Sequence, residues 1–576
     1  MGSPNEDLGR SLKSSALKNP TSHAHSLYDD VEEDPQSQID LLARLRIIEQ
    51  LQQFSLPRFR SSFPDDILTD ILNWITLCFC PNPSSDDVAV ALAIYRGQIT
   101  LFIASTPNSP STSTLNLTKN VFKTALKQVL SENSMAPLVA ARLFVRMIVD
   151  IAYPRILRKI ALLGNTDGDP KQTGLHFASL VKSWLFYRPE GEKSKGFVAK
   201  AGPYASNGIS TTDYMIQSLW MIAERANLST DGMAPNERFV YLNSIMTACE
   251  LFVKSTFFND LLNHHTFRIT MREQDRIFLH TLLRRMSHIA SYKSGAAKFA
   301  ILGVPFIQTV LGETGTQAFI EDKKKGGIVF EIISECHYTS KSHPLLPSST
   351  TRSYTWDRSP PDLLSSFLGL GPDLTGSRGR ESSISGESDY IHSRGTSTTS
   401  TSSGESALHF GHAFGELRKL DEQLQLELLS SSVIADAWAP GDTVTATYHS
   451  ILQLIYHLES RHIDIMGQTL GTSKPICWMC VQYIKSLEHY HAVKVEERDL
   501  EEIERRATLG RANIPLVDDG EEKIPKKWFT SRGSGKVKHN WLIPPGAPRD
   551  VIDAVFEDAQ QEMERIVEEV AFDSQS

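Results

Sequence analysis

Cys477-Trp-Met-Cys480 sets two thiols three residues apart, immediately after Lys474-Pro475-Ile476, so the segment reads Pro-x-Cys-x-x-Cys at the predicted start of a helix. Helical N-termini stabilise thiolates, and two thiolates at this spacing can hold one zinc ion. A complete site needs further ligands, without which the pair reads as two buried structural cysteines. A further ligand stands upstream. His449 lies at the start of an apolar helix whose inward positions are Ile451, Leu452, Ile455 and Leu458. Two turns on, His457-Leu-Glu459 offers a second His with a carboxylate two residues beyond it. Either histidine, taken singly, also fits an ordinary helix position.

His, Cys and Cys in that order form the ligand set of the zinc deaminases. There the metal activates a water for attack on an amino-bearing base carbon, and a Glu two residues after the His shuttles the proton. Three segments carry the resemblance: Tyr448-His-Ser-Ile-Leu-Gln-Leu-Ile-Tyr-His-Leu-Glu459, Gly471-Thr-Ser-Lys-Pro-Ile-Cys-Trp-Met-Cys480 and Gly535-Lys-Val-Lys-His-Asn-Trp-Leu-Ile-Pro544. Together they resemble fungal members of the nucleic acid and nucleotide deaminase superfamily. In those relatives the first motif runs His-Ala-Glu-x-Gln-Leu, and the segment Val88 to Ala104 is similar to their first two strands. The resemblance implies a three-layer deaminase-like α/β fold, a mixed sheet flanked by helices, with zinc held by His449, Cys477 and Cys480.

Setting His449 on the family's His and Gln453 on its Gln puts Ile451 where the catalytic Glu belongs. An isoleucine carries no proton, and general acid–base catalysis typically supplies about 10²- to 10⁴-fold. The expectation is a zinc-binding, catalytically impaired relative that binds a nucleotide, a nucleic acid or a protein partner. One alternative is an active deaminase of a base or nucleoside that uses Glu459 or another carboxylate. Only 17 residues separate Glu459 from Cys477, whereas 25 separate position 451 from Cys477, room for about three helical turns and a strand. The His449 frame is therefore preferred, and Glu459 then lies eight residues past Ile451, about 12 Å along the axis. A second alternative is a metal-free scaffold in which a helical insertion binds a protein partner.

The elements that must position these residues are read from periodicity. Ile39 to Gln53 and Asp65 to Cys80 show helical spacing. Val88, Val90, Leu92 and Ile94 recur at period two, then Tyr95-Arg-Gly-Gln98, then Ile99, Leu101 and Ile103, which predicts a β-hairpin. Ala89, Ala91 and Ala93 are small but not polar, so both faces are expected under helices. The domains expected are a disordered N-terminus (1–37), helices plus the first hairpin (38–106), an all-α insertion (107–336), a disordered Ser/Thr/Gly-rich linker (337–406) and the remainder of the α/β domain (407–576). Within the insertion, Thr270-Met-Arg-Glu273 reads as a capping box ahead of an apolar face made by Ile277, Leu279, Leu282, Leu283, Met286 and Ile289. After the linker, Phe410 to Leu429 is amphipathic, Lys494 to Arg506 is a charged helix, and Ile552, Val555, Ala559, Met563, Ile566 and Val570 give the last helix an apolar side.

Composition bounds the rest. The 59 Lys and Arg against 68 Asp and Glu give a net charge of −9, so bulk charge does not hold the chain to nucleic acid or membrane. Six scattered cysteines make no disulfide framework, and Cys78-Phe-Cys80 reads as structural. The apolar stretch Met135 to Ala152 carries Arg142, Arg146 and Asp150 on one stripe, so no transmembrane segment and no membrane partner is expected. The polar N-terminus shows no targeting address, and the location expected is intracellular, cytoplasmic or nuclear. Arg268, Arg272, Arg276, Arg284 and Arg285 hint at a phosphate-binding face, but Glu273 and Asp275 are interleaved and favour a solvated helix face. Lys323-Lys-Lys-Gly-Gly327 reads as a helix-terminal loop, and Ser-rich 382–406 invites phosphorylation. Trp541, beside Lys536, Lys538 and His539, either stacks on a nucleotide or covers the sheet edge.

Overall fold

The computed structural model describes residues 35–52, 67–82, 87–95, 97–106, 112–132, 135–166, 170–187, 232–254, 258, 261–262, 269–323, 327–333, 351–367, 434, 436–508, 527–530, 533–534, 536–544 and 547–573. The chain opens with helices α1 (Pro35–Leu51) and α2 (Ile67–Cys78), then the hairpin β1 (Val88–Tyr95) and β2 (Gln98–Ser105). Tyr95 pairs with Gln98, and the turn needs Gly97, whose φ of 73° disfavours other residues. Helices α3 (Thr112–Ser131), α4 (Pro137–Gly164), α5 (Pro170–Tyr187), α6 (Pro235–Lys254), α7 (Glu273–Lys298) and α8 (Val304–Ile320) follow. After them come β3 (Gly327–Ile333), β4 (Thr351–Thr355), α9 (Pro360–Phe367), β5 (Thr443–Thr447), α10 (Ser450–Ser460), β6 (Leu470–Thr472), α11 (Trp478–Thr508) and α12 (Arg549–Asp573).

The main sheet is mixed, in the order β3-β2-β1-β6, with β2 and β3 parallel and the other pairs antiparallel. Its two faces are buried in separate cores, as the hairpin's apolar alternation predicts. Val88, Val90, Leu92, Ile99, Leu101 and Ile103 join α2, α3, α4, α6 and α7 in one core. There Trp74 stacks on Phe299 at 5.0 Å, meets Phe144 edge-on at 5.8 Å and donates its indole N–H to Tyr292 O at 3.0 Å. Ala89, Ala91, Ala93, Phe102 and Ala104 enter the other core with Ile451, Leu452, Leu454, Ile455 and Leu458 of α10. The alanines leave α10 room against β1 and β2, which it contacts. The final helix α12 packs on α1 and α11 through Val555, Ala559, Met563 and Ile566.

Several sequence expectations require correction. The 107–336 stretch is not all-α: β3 lies inside it and pairs with β2 from Gln98↔Gly327 to Ala104↔Ile333. Its helices share a core with the sheet, so they cover one sheet face and do not build a core of their own. The 337–406 segment also contains structure. β4 pairs with β5, Trp356 stacks on Trp438 at 4.7 Å, and Leu363 and Leu364 of α9 are buried. The predicted disorder of 1–37 gives way to α1 at Pro35. The capping box at Thr270 does not form, because α7 begins at Glu273 with Arg272 as N-cap and no side-chain cap bond. Asp275 in the first turn, bonded by Arg272 at 3.0 Å, faces the helix's positive end instead. Ile277, expected inward, is 58% exposed. The charged 494–506 helix is the second half of α11, which runs unbroken from Trp478. The amphipathic 410–429 segment, Arg268, Ser-rich 382–406 and residues 1–34 lie outside the described residues.

By length and hydropathy the continuous helical run Glu273–Ile320 is long and apolar enough to cross a membrane. Here Leu279, Leu282, Met286, Ile289, Tyr292 and Phe299 bury one side of that run in the core, against α4 and α6.

The strand that leads to the Cys pair is pinned by a close approach. A Cβ on Gly471 would stand 2.5 Å from the Leu72 carbonyl carbon and Cβ, so α2 lies against bare β6 backbone. Over-packing of this kind costs about 1–3 kcal/mol. Gly471→Ala should therefore lower the denaturant midpoint by an equivalent amount, and an unchanged midpoint would show that α2 and β6 do not meet this way.

Candidate metal centre

His449 is the N-cap of α10, with extended backbone (φ −67°, ψ 145°), and its carbonyl accepts the first helical bonds from Leu452 N at 2.9 Å and Gln453 N at 3.1 Å. The Gln453 amide turns back to donate to Tyr448 O at 2.8 Å, which fixes the bend from β5 into the helix. Cys477 occupies the corresponding place at α11, where its carbonyl accepts Val481 N at 3.2 Å, and Cys480 falls in the first turn. The loop between β6 and Cys477 is clamped on two sides. Ser473 exchanges bonds with Val88, N–H to carbonyl at 2.9 Å and Val88 N–H to hydroxyl at 3.0 Å. On the other side Ser534 N donates to Ile476 O at 2.6 Å and Trp478 N to Lys536 O at 2.9 Å.

These anchors bring the three donors together. His449 Nδ1 stands 3.2 Å from Cys480 Sγ and 3.3 Å from Cys477 Sγ, and the sulfurs are 3.3 Å apart. Both cysteines are buried and His449 is half-buried. A tetrahedral ion bonded at about 2.3 Å to sulfur and about 2.0 Å to nitrogen needs donor–donor edges of roughly 3.5–3.8 Å. A few tenths of an ångström of opening meets that requirement. Among the described residues this is the His/Cys/Asp/Glu group placed to hold a metal ion. Three protein ligands leave a fourth position open, the pattern of a centre that binds water or a substrate atom.

Electrostatics favour the same occupant. Burial pushes the Cys477 thiol up, but the Cys480 thiol bonded to it and the adjacent His449 outweigh burial and hold it well below its ordinary value. Burial and then the Cys477 sulfur push Cys480 well up, while the indole N–H of Trp541 pulls the other way. Burial lowers His449, and Cys477 more than compensates, so the imidazole is held above its usual range. A thiol held down beside an imidazole held up is a pair whose protons a cation would displace on binding. The N-termini of α10 and α11 begin at the site and add positive potential that steadies thiolates.

The remaining sequence candidates fall elsewhere. Ile451 is 3% exposed within the apolar core, so the position of the expected Glu is packed and carries no proton donor. Glu459 accepts from His491 at 2.8 Å. That histidine is eleven residues past Cys480 on α11, about 16 Å along the helix, so Glu459 works at the end of α10 away from His449, against the middle of α11. His457 packs on the Phe102 ring and faces Glu331 at 3.2 Å. Trp541 is fully buried beside Tyr483 and bridges to Thr447, which removes the nucleotide-stacking role and leaves it covering the sheet. Cys78 and Cys80 are buried with their thiols pushed up by burial, as structural cysteines are. Arg276 pairs with Glu273 on the solvated face expected, while Arg272 reaches Asp275, which is buried.

Two contributions to the site escape sequence reasoning, that of Asp87 and the role of Trp541 beside Cys480. Asp87, half-buried just ahead of β1, raises the proton affinity of both His449 and Cys480 through its charge. Trp541 supports Cys480. Neither has a spacing to His449 that sequence alone connects to the site.

A chelator should lower the thermal unfolding midpoint of the parent, because metal bound only by the folded chain stabilises it. The same treatment should leave Cys477→Ser unmoved; identical shifts in both proteins would dissociate metal from this trio. No protein-family model, curated protein or solved structure matches the chain, so its chemistry is read from its own residues.

Proposed function

We propose that the protein is a zinc-binding, catalytically impaired deaminase-like chain that uses the open face of its metal centre to bind a nucleotide, a nucleic acid or a protein partner. The observation that carries this reading is the convergence of His449, Cys477 and Cys480 at the N-termini of two helices, with Ile451 buried two residues after the His. Two thiolate ligands and an imidazole suit zinc among the common divalent ions. Helices on both faces of a small mixed sheet support a three-layer deaminase-like arrangement. With a metal bound, the centre would polarise a water or ligand atom. Without a carboxylate at position 451, that atom has no adjacent group on α10 to exchange its proton.

A second reading has one specific observation behind it. Asp87 acts electrostatically on both His449 and Cys480, which makes it the candidate carboxylate for the role of the missing Glu. In that case the protein is an active hydrolytic deaminase, and Asp87 takes the proton-shuttling role that Glu459, bonded to His491, is too distant to fill.

Ile451→Glu separates the two. If position 451 alone is deficient, the variant should gain deamination of cytidine, adenosine or single-stranded oligonucleotides by about 10²-fold or more over the parent, read as ammonia release. Ile451→Gln, with the same bulk and no titrating group, should gain nothing. Activity already present in the parent and abolished by Asp87→Asn would sink the impaired reading in favour of the second.

A further inference from the structure

A second polar cluster lies between α4 and α7, on residues that take no part in the metal centre. Arg155 and Lys159 are four apart on α4, and Arg284, His288 and Tyr292 continue the same spacing on α7. Residues four apart share a helix face. These two helices pack together, and the stripes meet: Lys159 Nζ stands 5.1 Å from the centroid of the Tyr292 ring. Arg155 is buried and donates from Nη1 to Cys80 O at 3.1 Å. His288 is exposed, Lys159 is half-buried and Tyr292 is fully buried, so the stripe descends from solvent into the core.

The cluster is one-sided in charge. Burial, and then Arg155, hold the Lys159 ammonium down at about 7; the Cys80 sulfur opposes them, and Lys474 adds to the repulsion. Partial desolvation of the inner side of this exposed residue, followed by Lys159, Arg284 and Arg155, lowers His288. Among the described residues no Asp or Glu acts on either group. At the bottom of the stripe the Tyr292 hydroxyl, fully buried, has no hydrogen-bond partner among the described residues. Like charges gathered in a desolvated place destabilise a fold, and so does a buried hydroxyl without a partner. An anion relieves both at once.

We propose that Lys159, His288 and Tyr292, with Arg155 behind them and Arg284 at the mouth, form a binding site for a phosphate group. A tetrahedral oxyanion accepts hydrogen bonds on several oxygens at once, which suits an ammonium from α4 and an imidazole and a phenol from α7. The site reaches this group from the surface at His288. It stands apart from the metal reading, since no residue is shared with the His449, Cys477 and Cys480 trio. The plain alternative is a lysine stem packed over a tyrosine ring with nothing bound.

Isothermal titration of the full-length protein tests it, in phosphate-free buffer of low ionic strength, with inorganic phosphate and separately with a nucleoside monophosphate. One site per chain is expected, weakened about 10-fold or more by Lys159→Met and several-fold by Tyr292→Phe. His288→Gln changes an exposed residue and keeps the test sound if the buried variants fail to fold; it should weaken binding as well. Equal affinity for the two ligands would mean that the site reads a free phosphate group, and tighter binding of the monophosphate that it receives a nucleotide's phosphate. Absence of binding for both ligands at about 10 mM, or affinity unchanged in all three variants, would overturn the proposal.

Discussion

The hairpin of β1 and β2 has water on neither face, and its two faces are packed by different means. Branched and long side chains at Val88, Val90, Leu92, Ile99, Leu101 and Ile103 meet the helices from residues 67 to 320, while Ala89, Ala91, Ala93 and Ala104 leave a shallow surface for α10. A sheet buried on both sides has to draw its covering helices from distant parts of the chain, and its short edge strand β6 comes from 380 residues downstream. The convergence of His449, Cys477 and Cys480 depends on that arrangement. α10 lying on the alanine face places His449 at its N-terminus. β6 paired to β1, with Gly471 pressed against α2, delivers the Cys477 loop to the same end of the sheet.

Both polar clusters follow from where the sheet ends. At the Val88 end of β1, Ser473 binds the strand backbone, Asp87 acts on His449 and Cys480 on one side, and it acts on Cys80 on the other. Cys80 in turn ties Arg155 to the loop after α2. The candidate metal trio and the cationic stripe therefore occupy different cores but share this one boundary. Each gathers groups of one chemical character in a desolvated place, sulfur and imidazole donors in one and cations in the other. A ligand of the complementary kind would offset the cost of burying them together.

Local signals in the sequence located the parts of the site that local structure builds. His449 at a helix start, the Cys pair at another and the two-sided hairpin were all visible as periodicity changing over a few residues. The strand β3 was not. Gly327-Ile-Val-Phe-Glu-Ile-Ile333 follows a long helical stretch, and only its parallel partner β2, more than 200 residues upstream, makes it a strand. Trp356 and α9 were lost in a Ser-rich background because a stacking partner, Trp438, comes from the far side of it. Trp541 was legible as functional or structural but not which, since its burial depends on α11 and β5. Lys159 and Tyr292 lie 133 residues apart, and no spacing rule joins one helix to another at that distance. Periodicity groups the basic residues of α7 as a face of that helix alone, whereas the informative neighbours stand on α4.

The claim on which the rest turns is that the trio holds zinc. Elemental mass spectrometry of protein purified without added metal, beside a His449→Ala, Cys477→Ser double variant, measures it directly. The account predicts about one zinc per chain in the parent and little in the variant. Zinc absent from both, or retained equally by the variant, would contradict it and leave the convergence of His449, Cys477 and Cys480 as packing alone.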